Sequence, residues 1–171
     1  MNNSGKWVIG GILLLALVAA SFSVWHQNHR MHKAMAFWGT DQAVLIARAP
    51  DVEALKLESA DDPAAIEADD VLRFGDLPWR AVESESAVGS KGLGNVRLAL
   101  VQDVTYDWNS DTAGCGENWE YALTFRNDDK TATVLFNFEQ QCAALANSDH
   151  KVRLDHFASD EIRAFVKEQF K

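Results

Sequence analysis

The chain has 171 residues, of which 47% are hydrophobic, including six Trp and nine Phe. This composition predicts a packed globule and argues against a disordered chain. The formal charge is −9, so the molecule should repel phosphate backbones, which argues against nucleic acid as a partner.

Residues Trp7 to Trp25 contain no charged side chain, and they are numerous enough to span a hydrocarbon core of about 30 Å. The Trp residues at both ends suit the two membrane interfaces. We therefore predict an N-terminal tail (1–6), a transmembrane anchor (7–25), a juxtamembrane linker (26–36) and one domain (37–171). A cleaved signal peptide is the alternative, because Ala19 and Ala20 precede Ser21 as at a small-residue cleavage site.

The side of the membrane on which the domain lies is only weakly indicated by charge, since Lys6 stands on one side of the segment and Arg30 and Lys33 on the other. The short N-terminal tail and the two cysteines favour a single-pass protein with an extracytoplasmic domain. The linker carries His26, His29 and His32. Because no carboxylate stands among them, they indicate a polar collar rather than a metal site.

The first part of the domain predicts short elements. Thr40-Asp41-Gln42 is typical of a helix start, and Pro50 ends that helix. Residues 52–58 and Val71–Phe74 are expected strands, whereas Asp76-Leu77-Pro78 indicates a helix carrying Trp79 and Val82 inward. Residues 59–70 hold five carboxylates and no glycine, which favours a solvated loop over a calcium site.

The segment from Gly89 to Trp108 is open to two interpretations. Gly89–Gly94 matches no phosphate-binding fingerprint and indicates a flexible connection. The alternation from Val96 to Trp108 favours one long strand. Leu93, Val96, Leu100 and Val101 also fit a helical face, so a helix ending near Asp103 before a short strand is the alternative.

A central antiparallel hairpin is predicted over about 119–138. Two runs of alternating aromatic and β-branched residues flank the turn sequence Asn127-Asp128-Asp129-Lys130. Pairing Arg126 with Thr131 places Trp119, Tyr121, Leu123 and Phe125 on one apolar face. The mostly polar opposite face is then formed by Glu120, Ala122, Thr124, Arg126, Thr131, Thr133, Leu135 and Asn137.

The two cysteines, Cys115 and Cys142, are predicted to form a disulfide. The same register places them opposite each other on the apolar side of the ribbon, and a small exported domain commonly uses such a bond. The alternatives are two inert buried thiols and a cysteine nucleophile that uses His150 or His156.

The C-terminal residues predict a strand over Lys151–Phe157 and then an amphipathic helix. Ser159 is the expected N-cap, and the acidic first turn and basic last turn suit the helix dipole. Ile162, Phe165, Val166 and Phe170 form an apolar stripe that we expect to lie across the apolar face of the hairpin.

Several of these segments together resemble small membrane-anchored proteins of planctomycete-type bacteria. The resemblance rests on the anchor, Phe37-Trp38, Val104-Thr-Tyr-Asp-Trp108, Trp119-Glu-Tyr-Ala-Leu-Thr-Phe and Val134-Leu-Phe-Asn-Phe. It implies a membrane-anchored protein and carries over no activity and no site residue.

The sequence predicts an α+β domain with no recognisable catalytic, metal-binding or cofactor-binding set. We hypothesise a non-enzymatic protein-interaction module, with the polar hairpin face either a contact surface or ordinary solvated sheet. An exposed patch at Trp79 or Trp108 would support binding. The alternatives are a membrane-anchored hydrolase or thiol enzyme, and a small-ligand or lipid-binding module with a pocket lined by Trp119, Phe136 and Phe165.

Overall fold

A computed structural model describes residues 3–59, 71–74, 77–115 and 118–171, with backbone alone at 3–8, 10, 24–29, 71, 73, 74 and 77. Its helices are α1 (Asn3–His29), α2 (His32–Trp38), α3 (Thr40–Arg48), α4 (Leu93–Leu100) and α5 (His156–Glu168), with a 3-10 turn at Asp103–Thr105. Its strands are β1 (Asp51–Ser59), β2 (Val71–Phe74), β3 (Leu77–Ser86), β4 (Tyr106–Asp107), β5 (Tyr121–Asn127), β6 (Lys130–Asn137), β7 (Cys142–Leu145) and β8 (Lys151–Leu154). The fold is therefore α+β, as predicted.

Helix α1 includes the predicted anchor at 7–25. Large apolar side chains along it, from Ile9 to Phe22, are 59–71% exposed. Across the ranges given above, no helix is long and apolar enough to cross a membrane.

The described strands form one antiparallel sheet in the order β2-β3-β1-β5-β6-β7-β8-β4. The predicted hairpin is β5 and β6 at the centre of this sheet, and its predicted register is confirmed from Tyr121 opposite Phe136 to Arg126 opposite Thr131. The predicted position of Trp119 is wrong, because it precedes β5 and packs with Leu135 and the cysteines instead of with Leu123 and Phe125. The chain reverses at Asp128, whose φ of 50° is a conformation that Asp tolerates better than most residues.

The sheet buries side chains on both of its faces. On one face, Leu123, Phe125, Val134 and Phe136 pack with buried residues of the helices, among them Ile162 of α5. On the other, Leu55, Trp79, Trp119, Ala122 and Leu135 form a second cluster with both cysteines. The expected stacking of the C-terminal helix on the hairpin is confirmed.

The second face was expected to be mostly polar, and at the centre of the hairpin that expectation is wrong. Thr124 and Thr133 are buried there, and their hydroxyls lie 3.0 Å apart in a hydrogen bond. Because one hydroxyl donates to the other, this polar pair can be buried on this face at reduced cost. The predicted contact surface on this face is thus reduced to its ends.

The disulfide between Cys115 and Cys142 is confirmed, but the predicted geometry is wrong. The β6 strand ends at Asn137 and the chain turns back, so that Cys142 pairs with Asn137 in the β6–β7 ladder. Gln141 in that turn has a φ of 55°. Cys115 reaches its partner from a loop, where its carbonyl accepts a hydrogen bond from Lys151 Nζ at 3.2 Å.

Two segments have the opposite secondary structure to the one predicted. The helix expected to start at Asp76-Leu77-Pro78 is instead strand β3 from Leu77 onward, which pairs with β1 on one side and β2 on the other; Asp76 lies outside the described residues. Pro78 is the second residue of this strand and precedes its ladder with β1, which begins at Trp79. The favoured long strand over 96–108 is wrong and the alternative is confirmed, because α4 buries Leu93, Val96 and Leu100 on one helical face.

The C-terminal helix begins earlier than predicted. Asp155 is its N-cap and accepts a hydrogen bond from the backbone N–H of Phe157 at 3.0 Å, and β8 ends at Leu154. Ser159 is buried inside the helix. An Asp carboxylate caps at least as well as a Ser hydroxyl, so the earlier residue takes the role.

Residues of the predicted linker pack on the domain through α2. The backbone N–H of Ala34 donates to Asp103 Oδ1 at 2.8 Å, and the N–H of Asp103 donates to the carbonyl of Arg30 at 2.8 Å. Trp38 Nε1 donates to the carbonyl of Leu100 and to the Tyr106 hydroxyl, at 2.8 and 3.0 Å. The chain is therefore fixed to the domain from the residue that follows α1.

Candidate interaction surface

A groove of about 530 Å³ lies between α4 and α5. We call it the α4–α5 groove. Its lining residues are Lys91, Gly92, Asn95, Val96, Leu98, Ala99, Gln102, Val104, Thr105, Asp155, Phe157, Ala158, Glu161, Ile162, Ala164, Phe165 and Glu168.

One end of the groove is closed where the first turn of α4 meets α5. Gly92 precedes α4 with a φ of 98°, and a Cβ added there would lie 3.5 Å from Phe165. Ser90 donates to Gln169 Oε1 at 2.7 Å next to this contact. Glycine adopts this positive φ without strain. Because Gly92 and Ser90 both contact the end of α5, the segment predicted as a flexible connection is instead a close junction between the two helices.

The other end is fixed by hydrogen bonds between the 3-10 turn and the start of α5. The backbone N–H of Asp155 donates to the carbonyl of Thr105 at 2.8 Å. The Thr105 hydroxyl donates to the carbonyl of Ala99, the last but one residue of α4, at 2.6 Å. These bonds hold both helices at a set separation, so the groove is part of the folded structure.

The floor of the groove is apolar and buried, while its upper walls are apolar and exposed. Val96, Ile162 and Phe165 form the floor. Leu98, Val104 and Phe157 are 51%, 69% and 74% exposed. Large apolar side chains that cluster at the edge of a concave surface are typical of a binding site for an apolar partner.

The rim of the groove carries more negative than positive charge. Asp155, Glu161 and Glu168 supply three carboxylates, and Lys91 supplies one ammonium group at the closed end. All four residues are exposed. The groove therefore combines an apolar floor with an acidic border.

The polar groups of the groove lining are of few kinds. Its described residues include no Cys, His or Ser, and its one hydroxyl, on Thr105, already donates to Ala99. The ionisable groups are the carboxylates of Asp155, Glu161 and Glu168 and the ammonium group of Lys91.

The cysteines expected of a thiol enzyme are engaged in the disulfide. Cys115 and Cys142 are both buried and bonded to each other, so neither offers a free thiol in this structure. His156 is exposed, and its Nδ1 lies 2.6 Å from Gln141 Nε2. His150 is also exposed, with its ring 5.9 Å from that of Phe37.

The other predicted features separate in the structure. Within the residues described, no group of three or more His, Cys, Asp or Glu side chains could hold a metal ion. His32 is exposed, whereas the side chains of His26 and His29 and the acidic segment 60–70 lie outside the described residues. Trp119 belongs to one cluster and Phe136 and Phe165 to the other, so they line no common pocket.

Trp79 and Trp108, whose exposure would have indicated a binding patch, are not exposed. Trp79 is buried in the second cluster. Trp108 is half-buried and donates from Nε1 to the carbonyl of Asp103 at 2.8 Å. On the polar hairpin face, Arg126 pairs with Glu53 at 3.0 Å instead of forming an open contact surface.

The sequence did not indicate that Leu98 and Val104 are exposed, because the alternation from Val96 to Trp108 assigns both side chains to the buried face of a strand. The helical alternative contained the signal that could have found them. Leu93, Val96 and Leu100 share one face of a helix, and Leu98 does not belong to it. An apolar residue off that stripe is a candidate for exposure.

No protein-family model, curated protein or solved structure matches the chain. The resemblance to planctomycete-type membrane-anchored proteins therefore stays a prediction.

Proposed function

We propose that this chain is a single-pass membrane protein that displays its α+β domain outside the cytoplasmic membrane and binds another protein through the α4–α5 groove. The observation that carries the binding proposal is the exposure of Leu98, Val104 and Phe157 along one concave surface. Burial of such side chains by a partner contributes roughly 25 cal/mol per Å² of apolar surface.

The anchor is supported by the sequence, since residues 7–25 hold no charge and end in Trp on both sides. The exposed apolar side chains from Ile9 to Phe22 are of the kind that lipid covers. A position outside the cytoplasm is supported by the disulfide, because such bonds persist in oxidising compartments.

A role in protein contact is supported by the apolar floor of the groove and by its exposed apolar walls. The rim carboxylates add charge selectivity to an apolar floor. Together these features fit a domain that recognises a protein segment.

The binding proposal is tested by photo-crosslinking in cells that produce the protein natively. A photoreactive benzoylphenylalanine replaces Leu98 in one strain and Val88 in another. These positions are 51% and 53% exposed, but only Leu98 lines the groove. We expect a discrete higher-mass adduct from position 98 and none from position 88. Identical patterns from both positions, or no adduct from position 98, would contradict the proposal.

A further inference from the structure

We infer that the partner segment in the α4–α5 groove is an amphipathic helix whose apolar face is flanked by lysine or arginine side chains. This inference rests on the proposed function and adds the chemistry of the partner. It follows from the shape of the groove and from the sign of the charge on its rim.

The shape of the groove suits a helix. On α5 the lining residues Phe157, Glu161, Ile162, Phe165 and Glu168 recur at helical spacing along one face. From Phe157 to Glu168 this face is about 17 Å long, at a rise of about 1.5 Å per residue. It can contact roughly three turns of a partner helix, whose apolar residues would meet the floor between α4 and α5.

The exposed apolar walls favour a partner that presents side chains rather than backbone. Leu98 and Val104 extend from the α4 side and Phe157 from the α5 side. An apolar side chain inserted between them would contact the floor at Val96 and Ile162. Anchoring side chains at the centre of a contact, surrounded by a polar rim, are the usual arrangement of protein interfaces.

The charge on the rim selects among possible occupants. Asp155, Glu161 and Glu168 face a partner with three carboxylates against the single Lys91. A second copy of this chain docked through the same groove would bring like charges together, and an anionic lipid surface would also be repelled. The lysine or arginine side chains of a basic helix would instead be attracted to the rim carboxylates that repel a second copy or an anionic lipid.

The test uses the full chain in nanodiscs of zwitterionic lipid and three fluorescent 18-residue peptides. The first has Leu at helical spacing and Lys elsewhere, the second has Glu in place of Lys, and the third is a scrambled form of the first. Fluorescence anisotropy measures binding, with empty nanodiscs as the blank. We expect the Lys peptide to bind, and the Glu and scrambled peptides to bind about tenfold more weakly or not at all.

Variants of exposed residues separate the apolar from the charged contribution. Phe157→Ser should weaken binding of the Lys peptide about tenfold. Glu161→Lys combined with Glu168→Lys should weaken the Lys peptide and strengthen the Glu peptide. Val88→Ser, at an equally exposed position outside the groove, is the matched control and should change neither.

The failures of the two proposals are distinguishable. If position 98 crosslinks in cells but the Lys and Glu peptides bind equally, or neither binds, the inferred partner chemistry is overturned and groove binding stands. An adduct from position 98 at twice the mass of the chain would identify a second copy and also overturn the inference. If position 98 gives no adduct, the proposed function itself fails.

Discussion

At the scale of single residues, the Tyr106 hydroxyl joins three parts of the fold. It accepts from Trp38 Nε1 of α2 and donates to the carbonyl of Leu100 at the end of α4, at a distance of 2.5 Å. Burial of the ring raises the pKa of Tyr106 well above its ordinary value. The phenol therefore stays protonated in the folded state under conditions where it would ionise in the unfolded chain.

Alkaline pH should reveal this residue. Because the pKa of Tyr106 is raised in the folded state, its contribution to the free energy of unfolding is fully present below the unfolded pKa of about 10. That contribution is lost as the pH rises above this value, by up to about 1.4 kcal/mol per pH unit. Tyr106→Phe should remove that share of the alkaline loss and cost about 1 kcal/mol at neutral pH, because Leu100 keeps its bond from Trp38. Denaturant unfolding between pH 7 and 11 measures both effects. If Tyr106→Phe and the unsubstituted protein lose stability in parallel above pH 10, the buried phenol is not responsible for that loss.

At the scale of elements, α5 performs two tasks with two faces. One face places Ile162, Phe165 and Val166 in the core against the sheet. The start of the helix leaves Phe157 at 74% exposure beside the groove. The same helix thus holds the fold together and forms one side of the proposed contact surface.

Two phenylalanines on this helix should respond differently to truncation. Phe165→Ala should lower the free energy of unfolding by about 3–5 kcal/mol, because it leaves a cavity at a buried site. Phe157→Ala should change it by no more than about 0.5 kcal/mol, as surface substitutions commonly do. Thermal or urea unfolding of both variants checks this, and equal losses would contradict the assignment of the two faces.

The sequence predicted elements well where pattern and pairing agree. The β5–β6 register followed from alternation around Asp128-Asp129, because a one-residue shift would exchange the two sheet faces. Prediction failed at 77–86, where pairing with β1 and β2 makes the segment a strand. It also failed at 96–108, where the packing of Val96 and Leu100 selects the helical pattern over the alternating one. The groove could not be foreseen, since it depends on how α4 lies beside α5.

At the scale of the whole molecule, the domain is connected to α1 without a loose linker. Asp103 bonds to Arg30, in the short turn between α1 and α2, and to Ala34 in α2. Val104, a wall residue of the α4–α5 groove, follows Asp103 directly. One end of the proposed contact surface therefore lies near the chain's exit from the predicted anchor.

The proposed topology should be visible by labelling single introduced cysteines in intact cells. Lys130→Cys lies at the exposed β5–β6 turn, and Ser4→Cys lies before the predicted anchor. A membrane-impermeant maleimide should label position 130 in intact cells and position 4 only after permeabilisation. Labelling of position 4 alone in intact cells would reverse the orientation, and equal labelling of both would remove the membrane span between them.

The disulfide also has a mechanical meaning. Cys115 and Cys142 enclose β5 and β6, the two strands at the middle of the sheet. A pull between the predicted anchor and the proposed partner would peel away outer strands, but the covalent bond would keep roughly 90 Å of chain from extending. Under tension the central hairpin would be shielded from the force, and the enclosed residues would extend only after reduction of the disulfide.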